Sequence, residues 1–354
     1  MRARWIIVIV IVLAFVYLVF DTLFVAGSFK TIENLSAGEI ESIYTGIYGP
    51  EDMEVDEATA RLFISSCDRR RILEGPRADD GIWVLDIDSG AAPRKIPSTY
   101  SEEFHAHGIS LLRRDSTLYL FAVNHNSFGD HIETFLVRHD TLVHLRTYND
   151  KDLCCPNDVA AVAPEKFYVT NDHGNPWGLM RTIEEYGRLP LSSIKYYNGS
   201  GFSTVCDGLQ YGNGINVNAD GTRVFVATTI GRHLLTYDRN RETGELKHLA
   251  SLSLDTGLDN IDVDADGNLW IAAHPKLLAF VGHAKDASRL SPSQVIRLRP
   301  TTGNEYEVAD ILVDDGTLLS GSSVAVRYKD WLFVGCVFQP RILRIRLSTH
   351  SLLK

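Results

Sequence analysis

Several features that commonly reveal a protein's function are scarce or missing in this chain of 354 residues. Cysteine is rare, and its odd count shows neither a CxxC pair nor zinc-finger spacing: Cys67, Cys154, Cys155, Cys206 and Cys336. This pattern excludes the usual zinc modules and a disulfide-dense scaffold. We expect the cysteines to be core residues, with one disulfide as an open alternative.

Basic charge is also in deficit. Lysine and arginine number 35 against 45 aspartate and glutamate residues, which gives a formal net charge of −10. A protein that neutralises phosphates needs the opposite sign, so we expect no nucleic-acid partner. The hydrophobic fraction of 45% is instead typical of a globular protein with a large core, and we expect one folded unit.

Familiar catalytic motifs are missing as well. The sequence has no GxSxG elbow, no HExxH motif and no Walker loop. The string GNGINV, residues 212–217, lacks the third glycine of a dinucleotide fingerprint. The sequence therefore argues against a serine hydrolase of the elbow type, a zinc protease and a nucleotide-binding enzyme.

A long apolar run occupies the N-terminus. It extends for about 22 residues from Trp5 to Ala26, enough to cross a hydrocarbon core of about 30 Å. Arg2 and Arg4 precede it, and the positive-inside rule then keeps the N-terminus cytosolic. We predict a single-pass signal-anchor within residues 1–27 and a lumenal or extracellular domain after it. A cleaved or retained signal peptide is the alternative and would give a secreted protein.

Two triplets have the form of N-glycosylation sites. They begin at Asn34 and Asn198. Both are compatible with a lumenal or extracellular domain, although such triplets also arise by chance.

Six repeats organise the rest of the chain. Each has a polar residue or pair, an alternating apolar stretch, a turn and a second apolar stretch. The repeats begin 46 to 63 residues apart, at Glu51, His107, Asn157, Asn213, Asp259 and Ser322. Period-2 alternation predicts β-hairpins, and further strand-like runs between them bring each period to about four strands. We therefore predict an all-β domain over residues 28–354, a six-bladed β-propeller, preceded by the hydrophobic helix.

The residues that open the repeats converge on the axis of such a propeller. Most of them carry hard oxygen ligands: Glu51, Asn157, Asn213, Asp259 and Asn260. Ca²⁺ accepts six to eight carboxylate and amide oxygens, whereas Zn²⁺ favours nitrogen and sulfur, so calcium is the best-fitting ion. Asp52 and Asp158, one residue further in, predict a deeper site completed by a backbone carbonyl. A wet polar tunnel without metal is the alternative.

Histidine is the other non-random feature. His107 opens a repeat beside the oxygen ligands, and His125 comes from the hairpin partner of the same strand. An imidazole near a polarised carbonyl can act as general base on water, so His107 is the candidate base and His125 the residue that orients it. His173 and His274 each follow the second strand of a hairpin. A single histidine there is more often packed or solvated.

These strings together resemble the serum paraoxonase/arylesterase family. The similarity runs from Gly49 to Phe338 through GPEDMEV, HGISLL, VNHNS, NDVAAVAPEKFYVTNDH, YGNGINVNADG, LDNIDVDADGNLWIAAHP and GSSVAVRYK. The resemblance implies a six-bladed propeller with two calcium ions that hydrolyses lactones, aryl esters and, promiscuously, organophosphates. It also implies an uncleaved N-terminal hydrophobic segment.

The resemblance also assigns roles to residues. It implies a catalytic calcium held by Glu51, Asn157, Asn213, Asp259 and Asn260. The structural calcium would use Asp52, Asp158 and the carbonyl of Ile109. His107 and His125 match the family's histidine dyad, and His274 matches a further active-site histidine.

Some positions depart from the family pattern. The cysteines that close the animal enzymes with a disulfide are absent before Gly49 and from the C-terminal tail, and Ala273 replaces a family cysteine. The segments Arg69 to Asp80 and Gly174 to Pro190, which would form the lid, diverge. Substrate preference therefore cannot be transferred from the animal members.

The predicted activity is metal-assisted hydrolysis of carboxylic esters and lactones. Calcium polarises the carbonyl, the Asn157 amide serves as a second donor, and water activated by His107 attacks. Asp259 is the alternative base or nucleophile. Two other functions remain open: a strictosidine-synthase-like or gluconolactonase-type enzyme, and a non-catalytic, membrane-tethered calcium-binding propeller. The sequence predicts neither the natural substrate nor the oligomeric state.

Overall fold

The strands of the computed structural model, which describes residues 2–74 and 79–348, pair into six antiparallel sheets. Blade 1 contains β3 (Met53–Asp56), β4 (Arg61–Ser66), β5 (Gly81–Asp86) and β6 (Arg94–Lys95). Blade 2 contains β7 (Ala106–Arg114), β8 (Thr117–Asn126), β9 (Gly129–Arg138) and β10 (Thr141–Tyr148). Blade 3 contains β11 (Pro156–Ala163), β12 (Lys166–Asn171), β13 (Ser192–Tyr197) and β14 (Phe202–Leu209).

The remaining sheets continue in chain order and recruit strands from the N-terminus. Blade 4 contains β15 (Gly212–Val217), β16 (Arg223–Thr228), β17 (His233–Arg239) and β18 (Leu246–Ser253). Blade 5 contains β19 (Gly257–Val263), β20 (Leu269–His274), β21 (Ser293–Pro300) and β22 (Tyr306–Asp314), extended by β1 (Leu35–Ser36). Blade 6 contains β23 (Ser322–Tyr328), β24 (Trp331–Cys336) and β25 (Arg341–Leu347), with β2 (Gly38–Thr45) as its outer strand.

The inner strands close a ring. β3, β7, β11, β15, β19 and β23 each contact the next, and β23 contacts β3 again. The six-bladed β-propeller predicted from the repeats is thereby confirmed, with each repeat forming the two inner strands of one blade.

The apolar core lies between neighbouring blades. Between blades 1 and 2, for example, Phe63 and Ile82 pack against Ile109 and Leu120, all almost completely buried. This packing follows from the alternation in each strand, which sends every second side chain toward the adjacent sheet. Truncating a buried aromatic such as Phe63 to alanine is expected to cost about 3–5 kcal/mol of stability.

The ends of the chain meet in the last blade. β2 pairs antiparallel with β25, from Gly38 opposite Leu347 to Thr45 opposite Arg341. The sequence did not predict this closure, because strand alternation does not specify which distant strand is the partner.

The helices lie on the side of the ring where the repeats begin. α1 (Arg2–Val25) is the one helix in the described residues long and apolar enough to cross a membrane, and its candidate span is not buried against the propeller. Its end is attached to the ring: Asp21 pairs with Arg188, and the Leu277 N–H donates to the Ala26 carbonyl at 3.0 Å.

Short helices also interrupt two blade connections. They are α2 (Gly178–Gly187) and α3 (Leu277–Lys285), with a 3₁₀ turn at Arg69–Glu74. The prediction of an all-β domain after the N-terminal helix did not include them. They span only two to three turns, too short for a clear periodic signal.

The thiols and glycosylation triplets have clear positions. All five cysteines are free, so the disulfide left open by the sequence is not formed, although the Sγ atoms of Cys154 and Cys155 lie 3.2 Å apart.

Asn34 and Asn198 are exposed. Their exposure is compatible with modification.

Candidate active site and metal centre

A cavity of about 540 Å³ opens where the inner strands begin. Glu51, Asn157, Asn213 and Asp259 line it, together with three of the four histidines singled out by the sequence, His107, His125 and His274. The residues that open successive repeats thus converge at one end of the axis. Asn260 is buried beside Glu51 and donates to it.

A recurring backbone irregularity aims these side chains at the axis. Strand pairing is interrupted in blades 2 to 6 at the first residues of the repeat: between 106 and 109, 156 and 159, 212 and 215, 258 and 261, and 322 and 324. An irregularity of this kind frees residues from the ladder and re-aims their side chains. The polar residues at the start of each repeat are therefore presented by the fold itself.

Four buried oxygen atoms around the propeller axis, which we call the oxygen ring, have no hydrogen-bond partner among the described residues. They are Oε2 of Glu51 and Oδ1 of Asn157, Asn213 and Asn260, on residues at most 5% exposed. Buried polar atoms are normally satisfied, because leaving one unpaired costs about 1–3 kcal/mol. A convergent set of unpaired carboxylate and amide oxygens is the donor set that suits Ca²⁺.

The amide nitrogens explain why the oxygens face the centre. Nδ2 of Asn213 donates to Oγ1 of Thr229 at 2.9 Å, and that hydroxyl donates to the Leu258 carbonyl at 2.7 Å. Nδ2 of Asn260 donates to Oε1 of Glu51 at 2.9 Å. Each amide is thus held through its nitrogen, which leaves its oxygen available as a ligand.

Asp259 is held by His274. Oδ2 of Asp259 lies 2.7 Å from Nε2 of His274, and the imidazole stacks on Phe280 at a centroid distance of 3.9 Å. Burial raises the pKa of Asp259 to about 6, although the bond to His274 opposes that rise. His274 therefore orients the carboxylate of Asp259 in the cavity.

His107 and His125 form a hydrogen-bonded pair, as their hairpin origin predicts. Nδ1 of His107 lies 2.8 Å from Nε2 of His125, and Nδ1 of His125 lies 2.6 Å from Oδ1 of Asp130. Burial lowers the pKa of His107, which favours the neutral imidazole that a general base requires. Nε2 of His107 lies 3.5 Å from Oε2 of Glu51. A series of contacts therefore connects Asp130, through both histidines, with the oxygen ring.

Arg69 supplies positive charge next to the oxygen ring. Its guanidinium lies 3.7 Å from Oε2 of Glu51 and donates to the carbonyls of Gly49 and Ala106. Burial raises the pKa of Glu51, but its polar neighbours, Arg69 and Asn260 among them, outweigh this effect and lower it. Glu51 is therefore held as a carboxylate.

Asp52 and Asp158 lie further along the tunnel and bridge neighbouring blades. Asp52 accepts the Ile109 N–H at 2.6 Å, and Asp158 accepts the Ile215 N–H at 2.8 Å. Burial, reinforced by the charge of the other carboxylate, raises the pKa of Asp52 well above its usual range, and burial likewise raises that of Asp158. Within the described ranges, neither pairs with a basic side chain. Two like charges of this kind suit a bound cation.

Glycines let these groups approach the backbone. A Cβ on Gly108 would lie 2.4 Å from Oδ1 of Asp158, and one on Gly214 would lie 2.7 Å from the Asp259 carbonyl. Both distances are shorter than real Cβ contacts, so the strings HGIS and NGIN require glycine here.

The expected lid segments lie at the cavity mouth. Arg69 and Ile72 line it from the first segment, and Trp177 and Arg181 line it from the second. Residues 75–78 of the first segment lie outside the described residues. His173 is buried under the second segment, between Asp172 at 2.6 Å and Glu185 at 3.1 Å.

Sequence reasoning missed two side chains of the site, Asp130 and Arg69. Asp130 lies on β9 directly opposite His125 of β8, so strand pairing was the signal available for it. Arg69 lies in a 3₁₀ turn that has no counterpart in the other repeats, and the sequence contains no comparable signal for it.

Known proteins share extended sequence similarity with this chain. A family model described as Arylesterase matches residues 81–344. Serum paraoxonase/arylesterase 1 of Rattus norvegicus is 34% identical over 239 residues, and the match covers 66% of each chain. Serum paraoxonase/arylesterase 2 of Homo sapiens is 31% identical over 275 residues, covering 74% of this chain and 76% of the relative.

Solved structures share the fold at low sequence identity. A luciferin-regenerating enzyme superposes with a TM-score of 0.55 at 12% identity, covering 89% of this chain and 95% of its own. Regucalcin from Agrobacterium tumefaciens, described as a calcium-binding protein, superposes with a TM-score of 0.52 at 14% identity, covering 87% and 92%. At these identities the likeness is one of fold.

Proposed function

The chain belongs to the serum paraoxonase/arylesterase family, and from this premise we propose that it is a calcium-dependent hydrolase of carboxylic esters. The substrate classes are lactones and aryl esters, with organophosphate triesters as promiscuous substrates. The observation that carries the proposal is the set of four buried oxygens without hydrogen-bond partners in the described residues, grouped next to the hydrogen-bonded pair of His107 and His125.

Two calcium ions are proposed. The residues that would hold the catalytic ion are Glu51, Asn157, Asn213, Asp259 and Asn260. Asp52, Asp158 and the Ile109 carbonyl would hold the structural ion, and the burial of two neighbouring carboxyl groups without a basic partner in the described residues supports this assignment. When bound, the catalytic ion supplies a Lewis acid for a carbonyl or phosphoryl oxygen.

His107 is proposed as the base. Asp130 can only accept from Nδ1–H of His125, so Nε2 of a neutral His125 accepts from Nδ1–H of His107. This leaves the lone pair of His107 on Nε2, the nitrogen that faces Glu51. A water that donates to this nitrogen is positioned to lose a proton as it attacks the acyl carbon.

Other side chains take supporting roles. The Asn157 amide lines the cavity, and its Nδ2 is proposed to donate to the oxygen on which negative charge develops. Asp259 is the alternative base, because burial raises its pKa to about 6, whereas His274 is a positioning residue for it. His125 is a positioning residue for His107.

The test uses the full-length protein in detergent. Hydrolysis of an aryl acetate, a lactone and a phosphotriester is measured with calcium, after chelation and after calcium is restored. We expect all activities to fall together on chelation and to return with calcium. Unchanged rates after complete calcium removal would contradict the proposal.

A pair of asparagine variants tests the ligand assignment. Asn213→Ala removes an unpaired ring oxygen, so it should weaken calcium binding and lower every activity. Asn216→Ala is the matched control, since Asn216 lies on the same strand but makes backbone contacts with Val217 and Ile261. Equal losses of calcium affinity in the two variants would contradict the assignment.

The same substrate panel discriminates between the alternatives. Activity confined to sugar lactones would favour a gluconolactonase-type enzyme. Calcium binding without hydrolysis of any substrate class would favour a non-catalytic calcium-binding propeller.

α1 is proposed to be a membrane anchor, with the propeller lumenal or extracellular. The length and apolar composition of the helix support this. A second apolar surface lies near its attachment point, where Trp177, Leu179 and Met180 are exposed on and before α2. The secreted form is the alternative, and glycosylation at Asn34 and Asn198 is compatible with either location.

A further inference from the structure

A second group of metal-ligating side chains lies buried between blades 1 and 2. Cys67 follows β4, Asp80 precedes β5 and His105 precedes β7. One ligand atom from each lies within 4.8 Å of the other two, and the three residues are at most 6% exposed. None of them belongs to the set proposed for calcium.

We propose that Cys67, Asp80 and His105 bind one divalent transition-metal ion of the zinc class. Nδ1 of His105 lies 3.6 Å from Sγ of Cys67 and 3.0 Å from Oδ2 of Asp80. With zinc distances of about 2.3 Å to sulfur and about 2.0–2.1 Å to nitrogen, a tetrahedral site has a sulfur–nitrogen edge of about 3.6 Å. The nitrogen–oxygen edge needs to open by a few tenths of an ångström to reach about 3.3 Å.

The chemistry of the donors selects the class of metal. A thiolate and an imidazole suit Zn²⁺ and related transition ions, whereas Ca²⁺ prefers oxygen. The two metal classes are therefore expected to occupy different sites, the oxygen ring and this mixed cluster.

Two of the three ligands, His105 and Asp80, are already oriented by hydrogen bonds to other residues. Oε1 of Glu103 lies 2.7 Å from Nε2 of His105, the arrangement by which a carboxylate orients a metal-binding histidine. The other Glu103 oxygen accepts the Ser127 N–H at 3.0 Å. Oδ1 of Asp80 accepts the Asp68 N–H at 3.1 Å, and Oδ2 of Asp80 lies 3.0 Å from Nδ1 of His105.

Before a metal binds, the ligand side chains carry protons, which the metal must displace. Hydrogen bonds to Asp80, Cys67 and Glu103 raise the pKa of His105 to about 10. A metal ion takes the place of the Nδ1 proton and displaces the proton of the Cys67 thiol, and both protons leave to solvent. Nε2–H remains bonded to Glu103.

The cluster borders the active-site cavity. Cys67 and His105 line the cavity that also contains Glu51 and His107. Three protein ligands leave a fourth position for water or a small anion, as in open zinc sites. A metal bound here would lie in the wall of the cavity without sharing a ligand with the proposed calcium site.

The test uses Co²⁺ as a spectroscopic probe on the full-length, calcium-saturated protein in detergent. We expect one equivalent to produce a thiolate-to-cobalt charge-transfer band and tetrahedral d–d bands, and Zn²⁺ to abolish them. Cys67→Ser should remove the charge-transfer band. Glu103→Gln should keep the band and weaken affinity by about 10- to 100-fold, as expected when a carboxylate behind a histidine ligand is lost.

Two cysteine variants serve as matched controls. Cys154→Ser changes another thiol that lines the cavity, and Cys206→Ser changes one outside it. Both should retain the cobalt spectrum of the parent. If Cys67→Ser does not fold, Asp80→Asn replaces it, because an amide oxygen can still accept from Asp68; this variant should weaken cobalt binding. A parent without the thiolate band, a band that persists unchanged in both Cys67→Ser and Asp80→Asn, or one lost in Cys154→Ser would overturn the proposal.

Discussion

His107 and His125 are joined through their ring nitrogens at 2.8 Å, and Asp130 determines the direction of that bond. Because the carboxylate accepts from His125, the proton arrangement that leaves both imidazoles neutral places the free lone pair on Nε2 of His107. In the proposed mechanism, this proton arrangement presents a basic nitrogen to the ring of calcium-ligand candidates, and that nitrogen lies 3.5 Å from Oε2 of Glu51.

Replacing His107 by glutamine should remove general-base assistance while calcium stays bound. The expected loss of kcat for lactones and aryl esters is about 10² to 10⁴-fold, with phosphotriesters less affected. His248→Gln is the control, since His248 is exposed on β18 and contacts Ser251. A loss within about threefold at saturating calcium, far below that range, would transfer the base role to Asp259.

Asp130→Asn should reduce kcat by disturbing the His125 tautomer. An amide can donate as well as accept, so it no longer holds the proton on Nδ1 of His125. We expect a smaller loss than for His107→Gln, unchanged calcium affinity and an altered pH–rate profile. His125→Gln measured in the same assay provides the comparison; an Asp130→Asn profile identical to the parent's would contradict the positioning role.

Calcium removal should lower the melting temperature, because an ion bound only by the native state stabilises it. At a free concentration 100 times its Kd, one ion contributes about 2.7 kcal/mol. Asp158→Asn removes one of two buried like charges, so the calcium-free variant should melt at or above the calcium-free parent and gain less from calcium. Equal calcium-induced shifts in both proteins would exclude Asp158 as a ligand.

His173 should make a pH-dependent contribution to stability. Burial lowers the pKa of His173, but Asp172 and Glu185 outweigh it and raise the pKa from 6.5 to about 9. The native state therefore favours the imidazolium, and its contribution of about 3 kcal/mol is complete below pH 6.5 and is lost as the pH rises to about 9.

His173→Gln checks this sign. The difference in unfolding free energy between parent and variant should be largest near pH 6 and shrink toward pH 9. His248→Gln again serves as the control. A difference that does not change with pH would show that His173 contributes through packing alone.

If α1 is an uncleaved anchor, carbonate washing of membranes should not release the protein. N-terminal sequencing of the membrane fraction should recover residues before Trp5. A soluble species that begins near Gly27 or Ser28 would instead demonstrate a cleaved signal peptide.

The positions of the polar residues around the axis could be predicted because each depends on a local pattern. Alternation identifies a hairpin, and the polar residue before it occupies the same place in every blade. Asn157 and Asn213 were found in this way although 56 residues separate them. The structure adds the interrupted strand pairing that turns both side chains toward the axis.

The remaining contacts depend on tertiary arrangement. Arg69 approaches Glu51 from a turn that exists in one blade, and the repeats contain no equivalent of it. Cys67 and His105 lie 38 residues apart, the first after β4 of blade 1 and the second before β7 of blade 2, so only the packing of two blades brings them together. The position of a residue within its repeat predicts whether its side chain points toward the axis. It does not predict which residues of other elements lie beside that side chain.

The pairing of β2 with β25 has a consequence for biogenesis. A ribosome adds about 5–20 residues each second, so roughly 300 residues, or about 15–60 s of synthesis, separate the two strands. Throughout that interval β2 lacks its native neighbour, close to the helix that would engage the translocation machinery. The ring therefore closes only once β25 has been synthesised, so the pairing of β2 with β25 is its final step. A nascent chain stalled before Arg341 would leave an unpaired strand edge, which is a template for pairing with other chains.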